Sequence, residues 1–385
     1  MQPHTSSRRP LKVIIAGGGV AGLEAAFALR ELAADRVAVT VIAPGGEFVY
    51  RPLSIGEPFS SSRAERYPLG PLLGAAGAGL VHDTLSSVDP GRCLVRTGSG
   101  AEFSYDALVV AVGASRQPVY EHATNLDDRR MDELLHGMVQ DIESGYTRRL
   151  AIIVPRAMPW PFPAYELALL ASERAWDAQS GLDVTLLTPE HAPLEAFGTR
   201  ASRVVGELLS KRRIAVVTSA DCEVPRSGMV IVRPGTRAVT AERIVALPAL
   251  VGPDIDGLPS DGGGFIPVDE YGRVSGAERV WAAGDGTDQP IKHGGLAARL
   301  ADTVAQSIAE LSGVALEVEP FRPVLEGVLM TGSTARYLRA TPATATSDGE
   351  SVCIELTADA ASPKIAARYL GPRLGPAALI SGHVR

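Results

Sequence analysis

Cysteine is scarce in this chain, and its scarcity argues against chemistry that needs closely spaced thiols. The 385 residues include only Cys93, Cys222 and Cys353, which form neither a CxxC pair nor a metal-binding spacing. We therefore expect no metal site, and three unpaired thiols in a reduced, cytoplasmic protein. Cys353 is predicted to fill a core position in a strand.

Long apolar runs and basic stretches are also missing. No run approaches the ~18 apolar residues that cross a bilayer. The net charge of −7, without a basic stripe, argues against nucleic acid as a partner. Two Gly-Pro pairs interrupt the segment 362–385, and they prevent a long interfacial helix. Peripheral contact with a membrane is kept as an alternative to a purely cytoplasmic location.

Glycine, in contrast, is abundant and stands where strands end. The apolar run Val13–Ile15 leads into glycines and then into an Ala- and Leu-rich helix, and a second strand follows at 37–43. This is the βαβ order of a dinucleotide-binding fold. A further buried strand is predicted within 105–115, again before a glycine-containing turn.

The same order restarts near residue 150. "RLAIIV" matches "LKVIIA", "DVTLLTPE" matches "AVTVIAPG", and "ERIVALPALVG" (242–252) matches "DALVVAVGA". We infer an internal duplication, and predict an α/β fold with two tandem Rossmann-like domains. The remaining segment, 326–385, contains two strand-like pieces, "VLEGVLMTG" and "SVCIELTAD", separated by the polar turn "ATPATATSDGE". It predicts a small α/β appendage that forms an interface.

The first glycine turn has the pattern G-x-G-x-x-G between strand and helix. Gly17 permits the tight turn, Gly19 lets the backbone approach a pyrophosphate, and Gly22 lets helix and sheet pack closely. Val20 and Ala21 begin the helix, whose free N–H groups favour an anion. Nucleotide binding is therefore predicted here.

The acidic residue that usually ends the second strand and binds the adenosine ribose is absent. Ala43 occupies that position, and Glu47 is a candidate to reach the ribose from the following loop. In "YRPLS", Arg51 beside Pro52 is a candidate for phosphate oxygens. A solvated loop arginine is the alternative.

The segment "VWAAGDG", followed by "TDQPIKHGG" and a helix, is the most specific pattern. It resembles the FAD motif of the pyridine nucleotide–disulfide oxidoreductases, as do "EFVYRPLSIGEPF", "WPFPAYELAL", "GFIPVDEYGRV" and "IKHGGLAARLAD". The resemblance is greatest to sulfide–quinone oxidoreductases, flavocytochrome c sulfide dehydrogenases, type-2 NADH dehydrogenases and uncharacterised bacterial FAD-dependent oxidoreductases. It implies bound FAD, with Asp285 on the ribityl chain and the helix N-terminus at the flavin pyrimidine edge. The remaining implied cofactor contacts are Ala111, Val112, Gly113, Gly284, Lys292, His293, Gly294 and Gly295.

The resemblance also implies domain boundaries. Residues 11–118 and 253–325 correspond to a discontinuous FAD-binding domain, and residues 119–252 to a degenerate NAD-binding-like domain. Residues 326–385 correspond to the C-terminal interface domain. Residues 1–10 are predicted to form a disordered tail.

The chain departs from this family at two catalytic features. The first domain has no CxxxxC pair, and the proline-rich turn at 155–166 has no cysteine where sulfide–quinone oxidoreductases use one. The same turn, "VPRAMPWPFP", has no glycine, and proline removes backbone donors. A phosphate cradle of N–H groups cannot form there. Dithiol chemistry, the usual sulfide relay and the usual NADH site are therefore expected to be lost.

The substrate side is predicted from "PWPFPAY". Trp160 and Tyr165, with Phe162, form an aromatic wall for a planar substrate such as a quinone, or alternatively interdomain core. Glu166 is a candidate proton carrier for the flavin or a buried structural carboxylate. Lys292 is a candidate to stabilise the reduced flavin, or an exposed residue at a helix start.

The sequence thus predicts an FAD-dependent oxidoreductase that passes electrons between an unidentified donor and a quinone-like or other small acceptor. Open alternatives are a flavin-binding sensor with little turnover, and a sulfide–quinone oxidoreductase-like, NAD(P)H-dependent or O₂-using biosynthetic flavoenzyme. A homodimer is compatible with the sequence.

Overall fold

The computed structural model describes residues 9–341, 349–357 and 360–381. Seven α-helices lie within these ranges: α1 (Val20–Leu32), α2 (Leu69–Ala75), α3 (Met131–Glu143), α4 (Phe162–Asp177), α5 (Gly198–Lys211), α6 (Gly294–Leu311) and α7 (Gly371–Leu374). Short 3₁₀ helices cover Ala34–Arg36, Arg51–Phe59, Glu195–Phe197 and Pro376–Ala378. The predicted N-terminal tail falls almost wholly outside the described residues.

The strands before residue 120 are β1 (Leu11–Ala16), β2 (Val37–Ile42), β3 (Glu47–Tyr50), β4 (Glu65–Pro68), β5 (Gly79–Val81), β6 (Leu85–Asp89), β7 (Leu94–Thr97), β8 (Glu102–Ser104), β9 (Ala107–Val110) and β10 (Ser115–Gln117). The middle of the chain contributes β11 (Thr124–Asn125), β12 (Arg149–Ile153), β13 (Asp183–Leu187), β14 (Ala215–Val217), β15 (Asp221–Arg226), β16 (Met229–Arg233), β17 (Arg237–Thr240), β18 (Arg243–Ala246), β19 (Ala249–Val251) and β20 (Val280–Ala282). The last strands are β21 (Leu325–Met330), β22 (Ala335–Thr341), β23 (Glu350–Glu355), β24 (Ala361–Pro363) and β25 (Leu379–Ser381).

Two five-stranded parallel sheets organise the molecule. The first has the order β20-β9-β1-β2-β5 and the second the order β11-β18-β12-β13-β14. The strands that the sequence pairs as repeats, β1 with β12, β2 with β13 and β9 with β18, occupy equivalent places in the two sheets. The prediction of an α/β fold with two tandem Rossmann-like units is confirmed. Strand β20 joins the first sheet from far along the chain, so the first unit is discontinuous.

Apolar side chains on both faces of the first sheet explain its burial. Val13, Ile15 and Val109 face one core, while Ile14 and Leu108 face a second. Such near-continuous apolar strands are typical of parallel sheets covered on both sides. Helices α1 and α6 pack against each other on one side, through small residues.

Two sequence predictions need correction in detail. The expected strand at 242–252 is two strands, because Pro248 interrupts it and cannot donate to a ladder. Its second part, β19, pairs antiparallel with β10 rather than continuing the parallel sheet. In the C-terminal segment, β22 lies between the two predicted strands and pairs with both. Most of the predicted polar turn at 340–350 lies outside the described residues.

Candidate functional site

Two glycines of the turn after β1, Gly17 and Gly22, leave no room for a side chain. Gly17 has φ of +120°, and a Cβ atom there would lie 2.1 Å from the carbonyl oxygen of Ala111. A Cβ at Gly22 would lie 1.9 Å from the carbonyl oxygen of Gly17. Around Gly19, in contrast, no heavy atom lies within 4 Å of the Cβ position. The turn is closed on its protein side and open at Gly19, where α1 begins with Val20 and Ala21.

Three turns converge at the carboxyl edge of the first sheet. Ala111–Gly113 follows β9 and contacts the first glycine turn through the Ala111 carbonyl. The turn after β20 contacts α1, since a Cβ at Gly284 would lie 3.2 Å from the Cβ of Ala21. Val112 remains 39% exposed. The predicted cofactor residues of these three turns are therefore brought together, at the edge where α/β sheets bind ligands.

Asp285 lies at this edge without a hydrogen-bond donor. Burial raises the pKa of its carboxyl, and the positive charges of Arg116 and Lys292 lower it again. None of the described residues donates a hydrogen bond to this carboxyl group. Asp285 is partly buried. A carboxylate is an acceptor only, so a partly buried one without a donor fits a ligand that brings hydroxyl groups.

The start of α6 closes the same edge. His293 caps the helix, and its Nδ1 accepts a hydrogen bond from the backbone N–H of Gly295 over 3.2 Å. Burial lowers the pKa of His293 to about 4, so the ring is neutral at pH 7. The Lys292 ammonium donates to the Thr287 carbonyl and lies 3.8 Å from the ring centroid of Phe265. Lys292 is thus buried, not an exposed residue at a helix start.

The loop after β2 places its two candidates, Glu47 and Arg51, in different surroundings. The Glu47 carboxylate forms an exposed ion pair with Arg66 at 3.2 Å. Arg51 begins the 3₁₀ helix with Pro52, and its Nε lies 3.9 Å from Asp128, which also binds Arg116 at 2.7 Å. Arg51 is about one third exposed, with a side-chain value of 36%. It is neither fully solvated nor committed to a tight ion pair.

The proline-rich turn of the second unit reaches the first unit through Trp160. The Trp160 ring stacks on Phe162 with centroids 5.1 Å apart, and lies 4.5 Å from the ring of His293. Pro163 stands in the first turn of α4, where its missing N–H costs nothing. Trp160 therefore packs against the N-cap residue of α6.

Tyr165 and Glu166 point away from each other into closed surroundings. The Tyr165 hydroxyl donates to Oε2 of Glu190 over 2.6 Å, and the Thr188 hydroxyl donates to the same oxygen over 2.8 Å. Oε1 of Glu166 accepts from the Lys364 ammonium at 2.5 Å and from the Met330 N–H at 2.9 Å. Burial raises the pKa of Glu166 and lowers that of Lys364, while their attraction opposes both shifts.

Sequence reasoning did not select Glu190, Lys364 or Tyr50. Glu190 could have been found, because the repeat places it just after the second strand of the second unit. Lys364 gave no signal, since its partner is 198 positions away. Tyr50 is buried, and its hydroxyl accepts the Ile365 N–H over 2.9 Å.

A cavity of about 380 Å³ lies between Tyr50 and the C-terminal segment. Its wall is mainly apolar and includes Tyr50, Pro363, Ile365, Leu374 and Leu379, with Arg368 as the charged member. Ile365 also contacts the start of α6, because a Cβ at Gly294 would lie 2.5 Å from its Cδ1. One wall residue of the cavity, Ile365, therefore contacts the start of α6.

Comparison with known families assigns this architecture. The family model for pyridine nucleotide-disulphide oxidoreductases matches residues 11–148 and 164–306. The chain belongs to this family of flavin-type oxidoreductases, as its motifs predicted.

Among similar proteins is a sulfide-quinone reductase from Aquifex aeolicus, 24% identical over 260 residues, which are 63% of this chain and 59% of the relative. The chain thus matches less than two thirds of that relative's length. An NADH dehydrogenase-like protein from Mycobacterium tuberculosis is 27% identical over 301 residues, which are 71% of this chain and 72% of the relative.

Solved structures show the same fold. The sulfide:quinone oxidoreductase of Aquifex aeolicus superposes with a TM-score of 0.80 and 21% identity, covering 90% of this chain and 86% of that one. NDH2 from Plasmodium falciparum gives a TM-score of 0.66 with 11% identity, covering 90% and 92%. Within the described ranges, no helix is both long and apolar enough to span a bilayer.

Proposed function

We propose that this chain binds FAD at the carboxyl edge of the first sheet and passes electrons from a donor to a quinone-like or other small acceptor. The observation that carries the proposal is the convergence of three turns on Asp285, a carboxyl without a donor. Bound FAD would supply the redox chemistry, since it accepts an electron pair and releases it again. The protein contributes binding, orientation and electrostatics.

The residues present fit FAD. The open face at Gly19 and the free N–H groups of α1 suit a pyrophosphate. Asp285 suits the hydroxyl groups of the ribityl chain. The first turn of α6, capped by the neutral His293, presents a positive dipole end that favours negative charge on the pyrimidine edge of the flavin. Lys292, held at the Thr287 carbonyl, adds positive charge beside Asp285.

The second unit supports a function without the usual NADH site. Its turn has prolines where a phosphate cradle needs N–H groups. Glu190 stands just after its second strand, where such units place the carboxylate that binds ribose hydroxyls. Tyr165 and Thr188 already donate to that carboxylate. The turn thus lacks N–H donors at its prolines, and the carboxylate at the ribose position already has donors within the protein.

The thiols support a function without sulfur relay chemistry. Cys222 lies in β15 and Cys353 in β23, and neither strand belongs to the first sheet. Burial raises the pKa of the Cys222 thiol to about 12, so the thiolate is scarce at neutral pH. Burial also raises the pKa of Cys353.

The acceptor is proposed to lie between Trp160 and the apolar cavity beside Tyr50. A mainly apolar wall of this size accommodates one ring system. Glu166, tied to Lys364 and Met330, supports a positioning role more than proton transfer. It joins the aromatic turn to the C-terminal segment and so fixes the acceptor side of the site.

The experiment measures the flavin content of the purified protein and the reduction of that flavin by candidate donors. We expect yellow protein with about one FAD per chain, and loss of flavin in Asp285→Asn. The matched control is Asp288→Asn, three residues away and exposed. Colourless wild-type protein that takes up no FAD on reconstitution would refute the proposal.

Anaerobic mixing with NADH, NADPH, sulfide and a reduced quinone then identifies the donor. Rapid bleaching of the flavin by NADH would refute the proposal that the second unit lacks the usual NADH site.

A further inference from the structure

Asp128 connects two arginines from different parts of the chain. Its Oδ2 accepts a hydrogen bond from Nη2 of Arg116 over 2.7 Å, and its Oδ1 lies 3.9 Å from Nε of Arg51. Arg51 begins the 3₁₀ helix after β3, and Arg116 lies in β10. Asp128 itself follows β11, an edge strand of the second sheet. The second unit therefore supplies a carboxylate that pairs with both cations.

The two oxygens of Asp128 are paired to different degrees. The side chain is only 19% exposed, and Oδ1 is buried without a hydrogen-bond donor from the described part of the chain. A buried acceptor without a donor is costly, so attraction to the Arg51 guanidinium stabilises Oδ1. At 3.9 Å this pairing is looser than a hydrogen bond. It orients the guanidinium without occupying its N–H groups.

The carboxylate also compensates the repulsion between the two arginines. Burial lowers the pKa of Arg51, and the positive charge of Arg116 lowers it further, whereas the Asp128 charge opposes both effects. One carboxylate beside two guanidinium groups leaves one positive charge in excess. Excess positive charge in a partly buried position suits an anion, and a guanidinium donates two parallel N–H groups to a phosphate.

Arg116 connects this cluster to the edge at which we propose that FAD binds. It lies three residues beyond Gly113, in the chain that leaves the turn after β9. That turn packs on the turn after β20, because a Cβ at Gly286 would lie 2.9 Å from the Gly113 carbonyl oxygen. In the same turn, burial raises the pKa of Asp285, and the Arg116 charge opposes that rise.

We propose that Asp128 is a positioning residue for the flavin site: it is neutralised by Arg116 and holds Arg51 at the edge of the first sheet, ready to donate to a phosphate oxygen of the cofactor. The inference rests on the proposed function, because the anion that Arg51 receives is the pyrophosphate of FAD. It also gives the second unit a role that needs no NADH, since a carboxylate of that unit orders a cation of the first.

The test is the FAD affinity of the full chain, measured by titrating flavin-free protein with FAD and following flavin fluorescence. Asp128→Asn keeps the size of the side chain but removes its charge, so the dissociation constant for FAD should rise about tenfold. Asp128→Glu restores the charge and should stay within about threefold of wild type. The matched control is Asp127→Asn, which loses the same charge one residue away and should bind FAD like wild type.

A double-mutant cycle with Arg51 separates positioning from a purely structural role. Arg51→Gln should weaken FAD binding, and adding Asp128→Asn should weaken it little further, because no Arg51 remains to be oriented. Effects that multiply in the double variant would overturn the proposal. Tighter FAD binding by Asp128→Asn would overturn it too, since that result is expected if Asp128 competes with phosphate for Arg51.

Thermal unfolding of the flavin-free variants shows which of them fold. If Asp128→Asn does not, Asp128→Asn combined with Arg116→Gln takes its place in the cycle, with Arg116→Gln as reference, because the pair then leaves no unpaired charge. Wild-type protein that binds FAD, weakened by Asp285→Asn but not by Asp128→Asn, would overturn the positioning role and leave the proposed function standing. Wild-type protein that binds no FAD would overturn both.

Discussion

The Tyr165 hydroxyl and the Glu190 carboxylate form a buried hydrogen bond of 2.6 Å at the place where a dinucleotide-binding unit would receive a ribose. Tyr165 is fully buried, and burial raises the pKa of its hydroxyl far above the usual range. The hydroxyl therefore stays a donor at all accessible pH values. The second unit thus supplies a permanent internal donor to the Glu190 carboxylate.

Removing this hydroxyl should destabilise the protein without creating a nucleotide site. In Tyr165→Phe, Glu190 loses one of its two side-chain donors, which costs about 1–3 kcal/mol. Urea unfolding measures the change, and Tyr146→Phe, at an 80% exposed position, should change stability little. Reduction of the flavin by NADH should remain slow in both variants. A Tyr165→Phe variant as stable as wild type would contradict the role given to this bond.

Two glycines of the turn after β1 should affect different properties: Gly17 the stability of the fold, and Gly19 the binding of FAD. Gly17→Ala places a Cβ against the Ala111 carbonyl at a positive φ, so we expect a loss on the order of 3 kcal/mol. Gly19→Ala points its methyl group into open space, so the fold should be kept while FAD binding falls. Thermal unfolding of the flavin-free protein and flavin content measure the two effects. Equal flavin content in Gly19→Ala and wild type would place the pyrophosphate elsewhere.

The buried ion pair of Lys364 and Glu166 predicts that removing one partner costs more stability than removing both charges. Lys364→Met leaves Glu166 charged and unpaired in the core, and should cost about 3–5 kcal/mol. The double variant Lys364→Met with Glu166→Gln should recover part of that loss, because no buried charge remains. Breaking the exposed pair of Arg203 and Glu207 by Glu207→Gln is the control, with a loss below about 1 kcal/mol. A double variant less stable than Lys364→Met would contradict the view that the loss in Lys364→Met comes from an unpaired buried charge.

His293 predicts acid sensitivity. Burial lowers the pKa of its ring to about 4, whereas the unfolded chain has a value near 6.5. The unfolded state therefore binds more protons between these values, and stability falls as the pH drops through this window. From pH 7 to pH 5 the loss due to His293 should be about 2 kcal/mol. In His293→Asn, which retains a capping side chain, urea midpoints at the two pH values should differ by less. If the stability of both proteins depended equally on pH, the acid sensitivity could not be assigned to His293.

Local patterns were sufficient to predict the fold. Runs such as Val13–Ile15, followed by glycines and an Ala-rich helix, have one favourable arrangement. Repetition of that order predicted two sheets with equivalent strands. The convergence of the three turns proposed to bind FAD could be predicted for the same reason, since Gly17, Gly113 and Asp285 each follow the end of a strand of one parallel sheet. β22 was missed because its arginines disguise the alternation of a half-buried strand.

The sequence by itself determined the parallel sheets, the glycine turns and the replacement of the second turn by prolines, because these depend on residues close together in the chain. Tertiary structure alone decided what Tyr165, Glu166 and Glu24 do. Their partners are a residue after the next strand, a lysine 198 positions away, and two backbone N–H groups about 345 positions away. Buried polar groups take whichever partner packing brings within reach, and packing between distant segments is not written in local sequence patterns.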